Sequence, residues 1–143
     1  MSTYESTVAA KQTENFAAKL KTTELGGRVR IAHGSLPVTS ALASGSVIEL
    51  VKLPKGARLL PMSQIHFEAG QSASLTVKVG DADDDDRYFA AATPGASATS
   101  ITLNANRLND YVTTGESMVK LTTGGASTTA TKKITFDIMY VVD

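Results

Sequence analysis

From Arg28 onward the chain alternates apolar and polar residues in short runs, the signature of half-buried strands. In RVRIAH, Val29 and Ile31 alternate with Arg28, Arg30 and Ala32, which predicts a strand with Val29 and Ile31 inward and one wet face. SVIELVKL (Ser46–Leu53) is β-branched and apolar, and it stops at PKGA, where Pro54 and Gly56 supply turn geometry. In the next stretch Ile65 and Phe67 alternate with Gln64, His66 and Glu68, while Pro61 predicts a bend or a change of partner. SLTVKVG places Leu75, Val77 and Val79 on one face and Thr76 and Lys78 on the other. TSITLNA, SMVKLTT and KKITFDIMYVV read as three further strands. In the last, Ile134, Phe136, Ile138, Tyr140 and Val142 share a face, and Met139 and Val141 make the other face apolar toward its end. That pattern predicts a central strand covered on both sides near its C-terminus.

Residues 1–25 break this rhythm. Tyr4, Val8, Phe16 and Leu20 are spread among Thr, Lys, Gln and Glu, and the recurrence of Val8, Gln12, Phe16 and Leu20 at every fourth position makes a thin amphipathic stripe. Such a segment buries too little to fold alone and is expected to order by docking on a neighbour. Tyr4, Val8, Phe16 and Leu20 are therefore the expected partner-binding residues.

The elements together predict an all-β chain: an N-terminal arm (1–25) and a two-sheet antiparallel β-sandwich (26–143), with about eight strands and jelly-roll topology. One short helix is expected over Asp84–Ala92, opened by acidic residues and closed by TPG. TTGGAS (Thr122–Ser127) reads as a hairpin turn. No fixed-period repeat supports a propeller or solenoid.

Composition narrows the function classes. With 14 basic and 14 acidic residues, no global field recruits nucleic acid or an anionic membrane. Cysteine is absent, which excludes disulfides, a thiolate nucleophile and thiolate metal sites. The N-terminal stretch lacks a basic segment followed by an apolar run, so it does not read as a signal peptide. Nowhere do apolar residues run long enough for a transmembrane helix. Synthesis in a cytoplasm is expected.

The most unusual stretch is VGDADDDDRYF, where Asp81, Asp83, Asp84, Asp85 and Asp86 crowd together. Counted from Asp81 as an EF-hand, Asp86 stands where glycine is needed and Ala92 where the bidentate glutamate is needed. Adjacent exposed aspartates share one environment, so they do not split into the acid and base that catalysis needs. A looser calcium loop stays open beside the reading as a helix start. Tyr88 and Phe89 read as core anchors pinning this loop.

His33 and His66 lie in predicted strands with no metal-binding spacing between them. No nucleophile elbow, phosphate loop or dinucleotide turn is present, so no enzyme, catalytic residue or cofactor is expected. A pocket joining either histidine to a carboxylate would reopen an enzyme reading.

The block LPKGARLLPMSQIHFEAGQSASLTVKVGDADDDDRYFAAAT (Leu53–Thr93), between a Ser/Thr-rich arm and a β-rich C-terminal segment, resembles the cement or decoration proteins of tailed bacteriophages, in particular the jelly-roll cement proteins of short-tailed phages. The resemblance implies a virion protein on the outer capsid surface that bridges major capsid protein subunits and stabilises the shell. It also implies a homodimer at two-fold or local two-fold axes. The competing expectation is a carbohydrate- or cell-surface-binding β-sandwich using the aspartate loop with calcium, although the chain has no Trp to stack on sugars.

Overall fold

The computed structural model describes residues 28–36, 39–104 and 110–142. The expected arm residues Tyr4, Val8, Phe16 and Leu20 lie outside them. Nine strands form among the described residues: β1 (Arg30–Leu36), β2 (Val47–Leu53), β3 (Ala57–Leu59), β4 (Gln64–Phe67), β5 (Thr76–Gly80), β6 (Phe89–Ala92), β7 (Thr99–Thr102), β8 (Ser117–Gly124) and β9 (Ile134–Val142). They make two antiparallel sheets. The first has the order β1-β9-β4-β7, with β3 also on β9; the second has the order β2-β8-β5-β6.

The alternating residues carry this architecture. Ile65 and Phe67, then Leu75, Val77 and Val79, are at most 2% exposed and meet Val119, Leu121, Ile134 and Ile138 in one core. Burying each such side chain stabilises the fold by about 2 kcal/mol. β9 is central as expected, with β1 on one side and β3 and β4 on the other. Near its end Val141 is buried while Tyr140 and Val142 are half-buried, so both faces are covered there.

β1 departs from the expectation. Ile31 is 61% exposed and Val29 44%, while Ala32, Gly34 and Leu36 face inward. The cause is the partner strand. Gly34 pairs with Phe136, and a Cβ at Gly34 would stand 2.4 Å from the ring carbon Cζ. The Phe136 ring occupies the space over this glycine, so the even-numbered residues of β1 face the core and Ile31 pairs with Met139 on the outside.

Pro61 bends the chain without changing its partner, because β3 and β4 both pair with β9. Ser63, with no exposed surface, fills the gap between them. Its hydroxyl accepts from the Met139 N–H at 2.9 Å and donates to the Met139 carbonyl at 3.1 Å, replacing the missing backbone rung. Ser63→Ala should therefore strand the Met139 N–H, while the Met139 carbonyl keeps the Leu60 N–H at 2.8 Å, and cost about 1–3 kcal/mol. Urea unfolding checks this, and a midpoint equal to wild type would contradict it.

Two other expectations are corrected. The helix over Asp84–Ala92 is absent; Asp84–Arg87 is a turn, and Phe89–Ala92 is β6, pairing Val79 with Phe89 and Val77 with Ala92. So short an alanine-rich piece is too short to nucleate a helix by itself, and the open edge of β5 captures it instead. TTGGAS is no hairpin either, since β8 and β9 lie in different sheets and the chain crosses between them there.

Candidate functional site

The aspartate run closes on itself. Asp81, buried at 4% exposure, accepts at Oδ1 from the N–H groups of Asp83 and Asp84, each at 3.0 Å, and its own N–H donates to the Asp84 carbonyl at 2.8 Å. Its Oδ2 lies 2.7 Å from Arg87 Nε, an ion pair held by charge without an aligned hydrogen bond. The Arg87 guanidinium in turn sits 3.9 Å from the centroid of the Tyr111 ring. Lys78 pairs with Asp85. Tyr88 follows, buried, and that burial raises its phenol well above the usual range. Its N–H donates to the Val79 carbonyl and its carbonyl accepts from Asn104.

These contacts spend two of the five carboxylates that a calcium loop would draw on. Asp81 is turned inward to the backbone and Arg87, and Asp85 is neutralised by Lys78. Hydrogen bonding to Asp84, with the charges of Asp84 and Asp85 nearby, raises the carboxyl pKa of Asp86. The run is a self-tied turn that delivers β6 to β5.

A different cluster forms on the outer face of the first sheet. β1, β9 and β4 lie side by side, and the register puts His33 opposite Asp137 and His66 opposite Thr135, one step diagonal to Asp137. His33 Nδ1 lies 2.6 Å from Asp137 Oδ1, and His66 Nε2 lies 3.5 Å from Oδ2. His66 Nδ1 is 2.7 Å from the Ser100 hydroxyl on β7. The only two histidines of the chain thus share one carboxylate. Beside them runs a shallow open groove of about 650 Å³ lined by His66, Phe67, Glu68, Thr131, Lys133 and Thr135. The Lys133 N–H donates to Glu68 Oε2 at 2.8 Å, and this bond, with Lys132 nearby, holds the Glu68 carboxyl below its ordinary value.

Ser100, His66 and Asp137 follow the order of a hydrolase triad, but the setting differs in ways that matter chemically. Ser100 is exposed on a flat sheet face, where water is not excluded. Among the described residues no helix N-terminus stands near it to supply converging N–H donors for an oxyanion. Nor do the described residues include a group of three or more side chains arranged to hold a metal. The arrangement suits a polar cross-strand clamp, tying β1 to β4 through β9.

The clamp has a pH signature. The His33 hydrogen bond, opposed by partial desolvation and helped by His66, holds the Asp137 carboxyl below its usual value. A carboxylate depressed in the folded state stabilises it above the unfolded pKa, about 4, and that contribution is lost as pH falls through the folded value. Asp137→Asn should therefore melt below wild type at pH 6, and the gap should close by about pH 2. A gap constant across thermal melts over this range would refute the assignment.

His33 and His66 were visible in the sequence as strand histidines; Asp137, 104 residues from His33, was not, because nothing local announces which strand it pairs with.

No family model matches this chain, and no curated protein sequence matches it. Solved structures do. A chain in the capsid of Ralstonia phage GP4 is 21% identical with a TM-score of 0.65, over 82% of this chain and 86% of that one. A chain in the capsid asymmetric unit of cyanophage Pam1 is 21% identical with a TM-score of 0.62, over 92% and 96%. A chain in the acid-stable capsid of Helicobacter pylori bacteriophage KHP30 is 17% identical with a TM-score of 0.53, over 80% and 87%. The likeness is one of fold.

Proposed function

We propose that this chain is a structural virion protein, a cement or decoration protein on the outer surface of a bacteriophage head that bridges major capsid protein subunits and stabilises the shell. The observation carrying this reading is the near-complete two-way coverage of chains from phage capsids. The Pam1 chain is covered to 96% by 92% of this one, so the likeness runs through nearly the whole of both chains. The strand order supports a jelly roll. With β3 taken as a prelude to β4 on the same side of β9, eight strands alternate between the sheets and only β5–β6 forms a hairpin within one.

The function asks for many soluble copies that acquire avidity on a lattice, where two modest contacts on one rigid body reinforce each other. The arm (1–25), with Tyr4, Val8, Phe16 and Leu20, supplies one contact and the β-domain (26–143) the other. Self-association as a homodimer at two-fold or local two-fold axes belongs to the same reading. The calcium-dependent sugar-binding alternative is not favoured, since Asp81 and Asp85 are tied into ion pairs and no three carboxylates of the described residues converge as metal ligands.

Purified protein added to undecorated capsids should bind at a fixed ratio per capsid subunit and raise their heat resistance; absence of both would overturn the proposal. Removing residues 1–25 should weaken capsid binding at least tenfold, a loss of about 1.4 kcal/mol or more, while the β-domain keeps its melting temperature. Equal affinity would remove the arm from the interface.

A further inference from the structure

We infer that the free edge of β1 is where a second copy of this chain adds, by antiparallel strand pairing around a two-fold axis near Ile31. The inference rests on the self-association proposed above and names its surface.

An unpaired strand edge is a template for another strand, and folded proteins blunt it by shortness, charge, proline or bulges. Among the described residues five strands pair on one side only: β1, β7 and the three-residue β3 in the first sheet, β2 and β6 in the second. β6 and β7 have four residues each, too short to offer much. β2 is long but carries a register shift between Glu49 and Val51, and it bears Glu49 and Lys52. β1 has none of these protections. It pairs with β9 in unbroken register over all seven residues, contains no Pro, Lys, Asp or Glu, and has one charge, Arg30, at its first position. Among the described residues, no backbone hydrogen bond reaches it from the side away from β9.

The exposed apolar side chains gather at the same place. Ile31 at 61% and Val29 at 44% face outward on this edge, beside half-buried Met139. They are outside because Phe136 claims the space over Gly34, so the inversion that the fold imposes on β1 is what creates the apolar edge.

A second copy is the occupant these residues fit. In an antiparallel pair centred on Ile31, Ile31 meets its own counterpart and Val29 meets His33. Arg30 falls opposite Ala32 and Arg28 opposite Gly34, so no like charges face each other. The strand is self-complementary in this register, as an isologous interface requires. The two first sheets then run into one continuous sheet across the axis.

The chain lacks cysteine, so a single introduced cysteine reports on the pairing without background. In the full-length protein, Val29→Cys, Ile31→Cys, His33→Cys and Ser35→Cys should be compared under mild oxidation with Glu49→Cys on β2. Fastest disulfide dimer formation is expected at Ile31, with the Glu49 control slow. Independently, wild type should sediment as a dimer. Ile31→Lys should sediment as a monomer that still unfolds cooperatively, with a melting temperature lower only by what the lost dimer contact supplied. A monomeric wild type, an Ile31→Lys variant that stays dimeric, or crosslinking no faster at Ile31 than at Glu49 would each overturn the inference. A β1-mediated dimer that fails to bind capsids would count against the proposed function alone. A monomer that decorates capsids normally, implying that β1 serves another protein or none, would overturn this inference alone.

Discussion

Asp81→Ala is expected to destabilise the protein by about 3–5 kcal/mol, the loss seen when one partner of a buried ion pair is removed. The Asp81 side chain is 2% exposed and that of Arg87 15%, so deletion leaves a guanidinium in a place water barely reaches. Two further losses add to this. The N–H groups of Asp83 and Asp84 lose their acceptor, and the turn that brings Tyr88 back to Val79 loses its pin. Asp81→Asn keeps an oxygen for those N–H groups and removes only the charge, so it should fall between wild type and alanine. Urea unfolding of the three proteins checks the order. An alanine variant within about 1 kcal/mol of wild type would mean that the Arg87 pair contributes nothing net, as exposed pairs often do.

Gly80→Ala should be as severe, for a different reason. Gly80 ends β5, and its own backbone conformation is one that any residue can adopt. What forbids a side chain is space. A Cβ there would stand 2.1 Å from the Asp84 carbonyl oxygen and 2.4 Å from the Asp85 carbonyl carbon. These are backbone atoms of the tied turn and cannot swing aside as a flexible side chain would. The turn must lift off β5, breaking the Asp81 contacts together with β5–β6 pairing, at a cost of about 3 kcal/mol or more. Because both substitutions break one unit, the double variant should cost far less than their sum. Strict additivity would show that strand end and turn are independent.

These two residues also show where sequence reasoning reached and where it stopped. The period-two runs identified Ile65, Phe67, Leu75, Val77 and Val79 as core, since a strand's faces follow from backbone geometry alone. Pro61 marked a real interruption because a missing N–H is a local property. The aspartate run was readable as a loop but not as a cap, because a deep Asp81 depends on Arg87 and Tyr111 folding over it. The short helix failed where edge pairing outweighed a local preference for Ala-rich helix. The faces of β1 were misread because Val29 and Ile31 satisfy the pattern as well as Ala32, Gly34 and Leu36 do. Only the bulk of Phe136, more than 100 residues away, decides between them. The His33–Asp137–His66 clamp was hidden for the same reason: its members lie on three strands whose order in the sheet is not their order in the chain.

That order has a consequence for how the protein is made. β9, the middle of the first sheet, follows the other eight described strands in the chain; β1 and β3 wait for it, while β4 can pair with β7 earlier. The second sheet waits less long: β5 and β6 can close as a local hairpin, and β2 and β5 dock on β8 once it emerges. Until β9 emerges, β1 and β3 have no strand partner among the described residues, and the β4–β7 pair stays open on the side that β9 will cover. Joining β1 to β9 then closes a loop of roughly 100 residues, the slow kind of step in folding. The greatest aggregation risk during synthesis therefore falls in the interval between β8 and β9. A pause placed between β8 and β9 should lower the soluble yield more than an equal pause placed earlier in the chain.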